Sequence, residues 1–235
     1  MSGFPGFPKE GMQFLSALKR NNRREWFQPR KHVYDEQVKA PMTELVTALN
    51  AEMMRFAPDY VNEPAKAIYR IYRDTRFSKD KTPYKTHIGA IFPRRGLEKH
   101  GGGGLYFGVS AKEIEVAGGV YMPGPETLRA IRMHLAEHHA EFRKVIANRK
   151  LRKLMGEMHG EQLSRVPKGF PADHAAADLL RYKQWLFYVM LDAKLATTAK
   201  LMVEVRQRFE VMMPFLDFLN RPLVRESKRR TQLFV

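Results

Sequence analysis

Residues 105–121 constrain the fold more than any other stretch of the chain. Leu105–Ser110 and Glu113–Tyr121 alternate in period two, and the short turn Ser110-Ala111-Lys112 joins them. That period sends successive side chains to opposite faces of a strand, so the stretch predicts a β-hairpin. Gly118-Gly119 near its end predicts a bulge or a close backbone approach. Ala67–Arg73 and His87–Phe92 also carry the β-branched and aromatic content of strands, and Trp185–Leu191 is a continuous apolar run suited to a buried one.

Helical patterning surrounds these strands. Phe14, Leu15 and Leu18 recur at helical spacing, Asn21-Asn22 marks a turn, and Trp26 reads as a core anchor among basic neighbours. An apolar stripe runs from Val33 to Met53, and Pro41 inside it predicts a kink or two abutting helices. Pro125 opens a helix whose buried face is Leu128, Ile131, Leu135, Phe142 and Ile146, followed by a short basic helix over 149–158. Asp173 reads as the N-cap of a short helix ending at Leu180. Leu201, Val205, Phe209, Met212 and Met213 line a last helix that Pro214 bends or ends. Local hairpins beside long helices predict an α+β fold, a mostly antiparallel sheet with helices packed on it, in a single domain over 1–235. Residues 1–10 read as irregular, 225–235 as a frayed basic tail, and Gly101–Gly104 as a flexible connector in preference to a mobile flap over the site.

Composition excludes several functions. The chain has no cysteine, so it has no disulfide, thiol nucleophile or thiolate metal site. No run of about 18 apolar residues is present, so no segment is expected to span a membrane. The start lacks a basic and then apolar leader, and a cytoplasmic location is the expectation. Lys and Arg number 41 against 25 Asp and Glu, a net charge of +16, which favours polyanions.

The chemistry concentrates in Arg70–His87, with six Lys or Arg and two Asp interleaved with aromatics and hydroxyls. Arg70, Arg73, Asp74, Arg76, Ser78, Lys79, Lys81, Tyr84 and Lys85 are the candidate ligand-binding residues. Arginine gives planar bidentate recognition of phosphate or carboxylate, lysine adds a mobile charge, and hydroxyls add neutral donors. The pattern fits a phosphate-bearing small molecule, with nucleic acid as a further possible partner. An arginine pointing inward would need a carboxylate, with Asp74 nearest and Glu115 on a neighbouring strand. The same residues also suit a structural ion-pair network pinning a long loop. Two alternatives stay open: a metal-assisted phosphoesterase or nuclease using Asp74 or Asp80, and a non-enzymatic scaffold. No Walker loop, dinucleotide fingerprint or nucleophile elbow is present. His134 and His138 lie one helical turn apart, but no third ligand is identifiable, and no metal or cofactor is expected. Further basic clusters lie at Lys19–Lys31, Arg143–Lys153 and Arg221–Arg230.

The run from Arg73 to Lys85 resembles the signature of the bacterial and fungal family called domain of unknown function 2461. The resemblance extends through Phe14-Leu15, Asn21-Asn22, Trp26-Phe27, Gly118–Pro123 and Pro167–Phe170. It implies a single soluble domain with the Arg–Asp–Lys loop as its distinctive feature, and it implies no catalytic residue.

Overall fold

The computed structural model describes residues 3–97 and 100–233, with the side chains of 225–233 outside the description. The chain begins with α1 (Lys9–Arg20), α2 (Arg24–Phe27) and α3 (Lys31–Tyr34). A single π-helical turn, Asp35–Lys39, joins α3 to α4 (Ala40–Met53). Pro41 sits in the first turn of α4, where its missing N–H costs nothing, so the predicted interruption is an abutment of two helical segments. The short α5 (Pro64–Ala67) leads towards β1 (His87–Pro93), β2 (Gly104–Ser110) and β3 (Glu113–Val120). Then come α6 (Pro125–Ile146), α7 (Arg149–Met155), α8 (Ala177–Leu180), β4 (Trp185–Asp192) and α9 (Lys200–Leu233).

The four strands form one antiparallel sheet in the order β1-β2-β3-β4, so the fold is α+β as the alternation predicts. One face is apolar: Ile88, Ala90, Phe92, Leu105, Phe107, Val109, Ile114, Val116 and Phe187 are buried there. α9 lies across it. Phe209 meets Phe92 edge-on at 5.5 Å, and Phe215 meets Phe187 at 4.9 Å. Each such phenylalanine contributes about 1.5–3 kcal/mol by leaving water. α6 packs beside α9 through Phe142 and Phe218, 4.8 Å apart, and Arg221 grips Glu141 with two bonds of 2.9 and 2.7 Å.

Several expectations need correction. Ala67–Arg73 is not a regular strand. Ala67 ends α5, and only single bridges follow, Ile68 to Ala90 and Tyr72 to Tyr84. Between those bridges residues 69–71 face residues 85–89, and unequal spans cannot hold a ladder in register. Pro214 does not end the last helix, which continues past Pro214 and Pro222. Asp173 is not the cap of α8: that helix starts at Ala177, and the His174 Nδ1 accepts from the Ala176 N–H at 3.0 Å. Gly103 is not part of a loose connector. Its N–H donates to Asn220 Oδ1 at 2.7 Å, and its carbonyl accepts from Asn220 Nδ2 at 2.9 Å. The tail expected to fray over 225–235 is helical as far as Leu233, where α9 ends, and 234–235 lie outside the described residues. Among the described residues no helix is long and apolar enough to cross a membrane.

Candidate functional site

The Arg70–Lys85 loop projects from the start of β1. Its base is tied to the α1–α2 turn: the Asn22 side-chain amide donates to the Tyr84 carbonyl at 2.8 Å and accepts the Tyr84 N–H at 3.0 Å. Tyr84 itself is 1% exposed and stacks on Phe27 at 4.1 Å, so its ring serves packing and is turned away from solvent. Inside the loop, Arg73 Nη1 bonds Asp80 Oδ2, Thr82 Oγ1 and the Thr82 carbonyl. Asp80 also accepts from the Thr82 N–H at 2.9 Å. Arg76 forms a fork on Asp74, Nε to Oδ1 at 3.0 Å and Nη2 to Oδ2 at 2.7 Å. Lys81 donates to the Thr75 carbonyl at 2.9 Å. Both carboxylates of the loop are therefore engaged by the loop's own donors.

These bonds hold both acids ionised. The Arg76 side chain, with its own N–H, holds Asp74 down at about 2, and the Thr82 N–H with Arg73 holds Asp80 down at about 2, from an ordinary value of 3.8. A lowered folded-state value adds stability that is complete above the unfolded value and fades as pH falls towards the folded one. The loop is expected to stay ordered down to about pH 4 and to loosen between 4 and 2. Carboxyl carbon shifts of Asp74 and Asp80, followed by NMR, should show midpoints near 2. Ordinary midpoints near 3.8 would show that the pairs do not hold in solution.

Lys79 and Lys81 have no carboxylate partner among the described residues, and Arg70 makes no ion pair there, although its charge helps to hold Asp74 down. Arg70 and Lys79 are exposed, Ser78 is half-buried, and Phe77 at the tip is 96% exposed. Lys85 turns the other way, with its ammonium 4.8 Å from the centre of the Tyr69 ring.

Tyr69 lines a cavity that sequence reasoning missed. The sheet face turned away from α9 is open, and a hollow of about 400 Å³ sits on it, walled by Tyr69, Tyr106, Tyr188, His100, Glu115 and Met122. Gly89 and Gly108 make its shape possible: a methyl group at either would fall 2.8 or 2.5 Å from the Tyr106 hydroxyl, so the ring can lie flat across β1 and β2. Glu115, opposite Gly108 in the ladder, faces the same hollow. Its carboxyl is pushed up by partial burial and then by Glu113, and among the described residues no arginine or lysine pairs with it. The expected arginine partnership of Glu115 is therefore not made. The signals that could have found this hollow are glycines at alternate positions of β1 and β2 beside polar residues at the alternate positions of β3.

Elsewhere, Trp26 packs on Phe14 at 5.5 Å with the Arg30 guanidinium over its ring at 4.9 Å, which is core-edge packing. His134 and His138 lie 4.5 Å apart, but among the described residues no group of three or more His, Asp or Glu could hold a metal ion. In the other basic clusters a few cations are paired, Arg143 with Asp178, Arg152 with Glu157, Arg221 with Glu141 and Lys31 with Asp35.

The fold and site define an α+β protein in which a helical layer covers one face of an antiparallel meander and leaves the other hollowed. A family model described as conserved hypothetical protein DUF2461 matches residues 10–218, and the chain belongs to this family. No curated protein and no solved structure matches the chain.

Proposed function

We propose that the chain binds a small phosphate-bearing molecule, its body in the open-face cavity and its phosphate at the basic loop. The observation that carries this reading is Lys85. It belongs to the cation-rich loop, yet its ammonium lies over Tyr69, which walls the cavity. A hollow of about 400 Å³ with aromatic walls and a few polar groups fits a small organic body. Tyr69, Tyr106 and Tyr188 offer faces for a planar group, and Glu115 offers a hydrogen-bond partner. The two arginine–aspartate pairs hold the loop in shape, while Arg70, Lys79 and Lys85 supply charge to an incoming anion.

A calorimetric and thermal-shift screen of nucleotides and sugar phosphates tests this. At least one member is expected to bind, and Lys79→Ala with Lys85→Ala is expected to weaken it about 10- to 100-fold, the range for charge-assisted hydrogen bonds. The melting temperature of the unliganded double variant should change little. A screen with no shift, or a ligand indifferent to both lysines, would remove the reading.

Nucleic acid gives a distinct result. A polyanion track shows a log–log salt slope near −0.9 for each phosphate neutralised. A small-molecule site builds no such track, so on this reading DNA binding rests on the net charge of +16 alone and is expected to vanish near physiological salt. Lys79→Ala with Lys81→Ala should leave its slope unchanged; a slope reduced by about 2 would favour a nucleic-acid track.

A further inference from the structure

Arg132 lies in the middle of α6 and is 8% exposed. A guanidinium taken out of water needs a carboxylate or a full set of acceptors. Arg208, equally buried at 8%, also leaves its Nε without a partner but has both the Glu204 carboxylate and the Glu204 carbonyl. Arg132 has neither arrangement. Its Nη2 donates to the Tyr182 carbonyl at 2.9 Å, its Nε has no partner, and no carboxylate pairs with it among the described residues. Burial pushes the guanidinium down from its usual value, but arginine starts so high that the charge persists at neutral pH.

This uncompensated charge lines a groove of about 650 Å³ between α6 and the 166–171 loop. Arg129, on the same helix, and Lys168, from the facing loop, line it too. Leu128, Met133 and Phe170 provide apolar walls. The acid in the groove, Glu137, is exposed and lies 3.8 Å from His138, not on Arg132. The groove therefore has a buried cation at its base, two cations at its rim and an apolar lining, which is the complement of an amphiphilic anion. A guanidinium that lines the groove and has no carboxylate of its own matches one planar carboxylate, since arginine's donors form a fixed fork.

We propose that the α6 groove is a binding site for the carboxylate of a small organic acid with an apolar body, seated on Arg132. The site is separate from the open sheet face, so it stands whether or not a phosphate ligand is found there.

Octanoate is the probe, with octanol and inorganic phosphate as comparators, titrated into the full chain. The Arg132 Nε–H resonance is expected to move on adding octanoate, and octanoate should bind at least about 10-fold more tightly than octanol. Arg132→Lys keeps the charge but loses the fork and should cost octanoate about 10-fold. Arg129→Ala with Lys168→Ala, both exposed and without a role in the core, should weaken it several-fold. Equal binding of octanol and octanoate would overturn the proposal, as would an unmoved Arg132 resonance at saturation in the wild-type chain. Phosphate displacing octanoate at equal concentration would show a site for any small anion and overturn the organic-acid assignment. The wild-type resonance keeps the test decisive even if Arg132→Lys fails to fold.

Discussion

Asn220→Leu is expected to lower the melting temperature by about 6–12 °C, because it strands three buried polar groups at once. Asn220 is 1% exposed, inside the apolar stripe of α9. Its side-chain amide serves the Gly103 N–H, the Gly103 carbonyl and the Tyr60 hydroxyl, the last at 2.8 Å. Each buried group left without a partner costs about 1–3 kcal/mol, so a total near 3 kcal/mol is the lower part of the range. For a chain of this size one kcal/mol moves the melting temperature about 2–4 °C. Tyr60→Phe removes a single bond of the three and should cost about 1 kcal/mol. Scanning calorimetry of both variants checks the ranking. An Asn220→Leu variant that melts with the wild type would mean that water takes over the amide's bonds.

Asn220 also shows why part of the structure was hidden in the sequence. Four successive glycines carry no side chain to state what holds them, and their clamp lies more than a hundred residues away on α9. The hairpin was legible because its period repeats locally, and so were α6 and α9, whose apolar spacing needs no distant partner. Pro41 was legible because a missing N–H must fall at a helix start. Ala67–Arg73 has the composition of a strand, but pairing is decided by the partner, and unequal spans between Ile68 and Tyr72 break the ladder. In the loop, the residue types pointed to ion pairs between its acids and its cations, whereas the choice of partners was not readable. Asp74 goes to Arg76 and Asp80 to Arg73, while Tyr84 goes inward to Phe27. The open face escaped notice because a concave surface is a property of four strands together, visible in the sequence only as the glycines that let Tyr106 lie down.

Gly118-Gly119 predicts a bulge or a close approach, and the structure separates the two glycines by what surrounds them. Gly119 pairs with Leu186 and has φ +141°, and a methyl group there would lie 2.1 Å from the Trp185 carbonyl oxygen. Both obstacles are backbone, so neither yields cheaply: the conformation alone costs about 1–3 kcal/mol for a side-chain-bearing residue, and forced overpacking adds about 1–3. Gly119→Ala is therefore expected to lose about 3 kcal/mol or more and to melt at least about 6 °C lower. Gly118 has an ordinary backbone, and its added methyl would meet the Met212 Sδ at 2.7 Å, the far end of a flexible side chain that can swing aside. Gly118→Ala should cost about 1 kcal/mol. The difference should be local as well as global. Gly119→Ala pushes β4 away from the end of β3, so amides of Leu186 to Tyr188 should exchange faster, while those of the β1–β2 ladder keep their protection. Gly119, Leu186 and Tyr188 all wall the open cavity, so the same substitution should also weaken any ligand bound there. Equal melting of the two alanine variants would show that β4 shifts freely, and would leave the cavity wall without the rigidity that a preformed site needs.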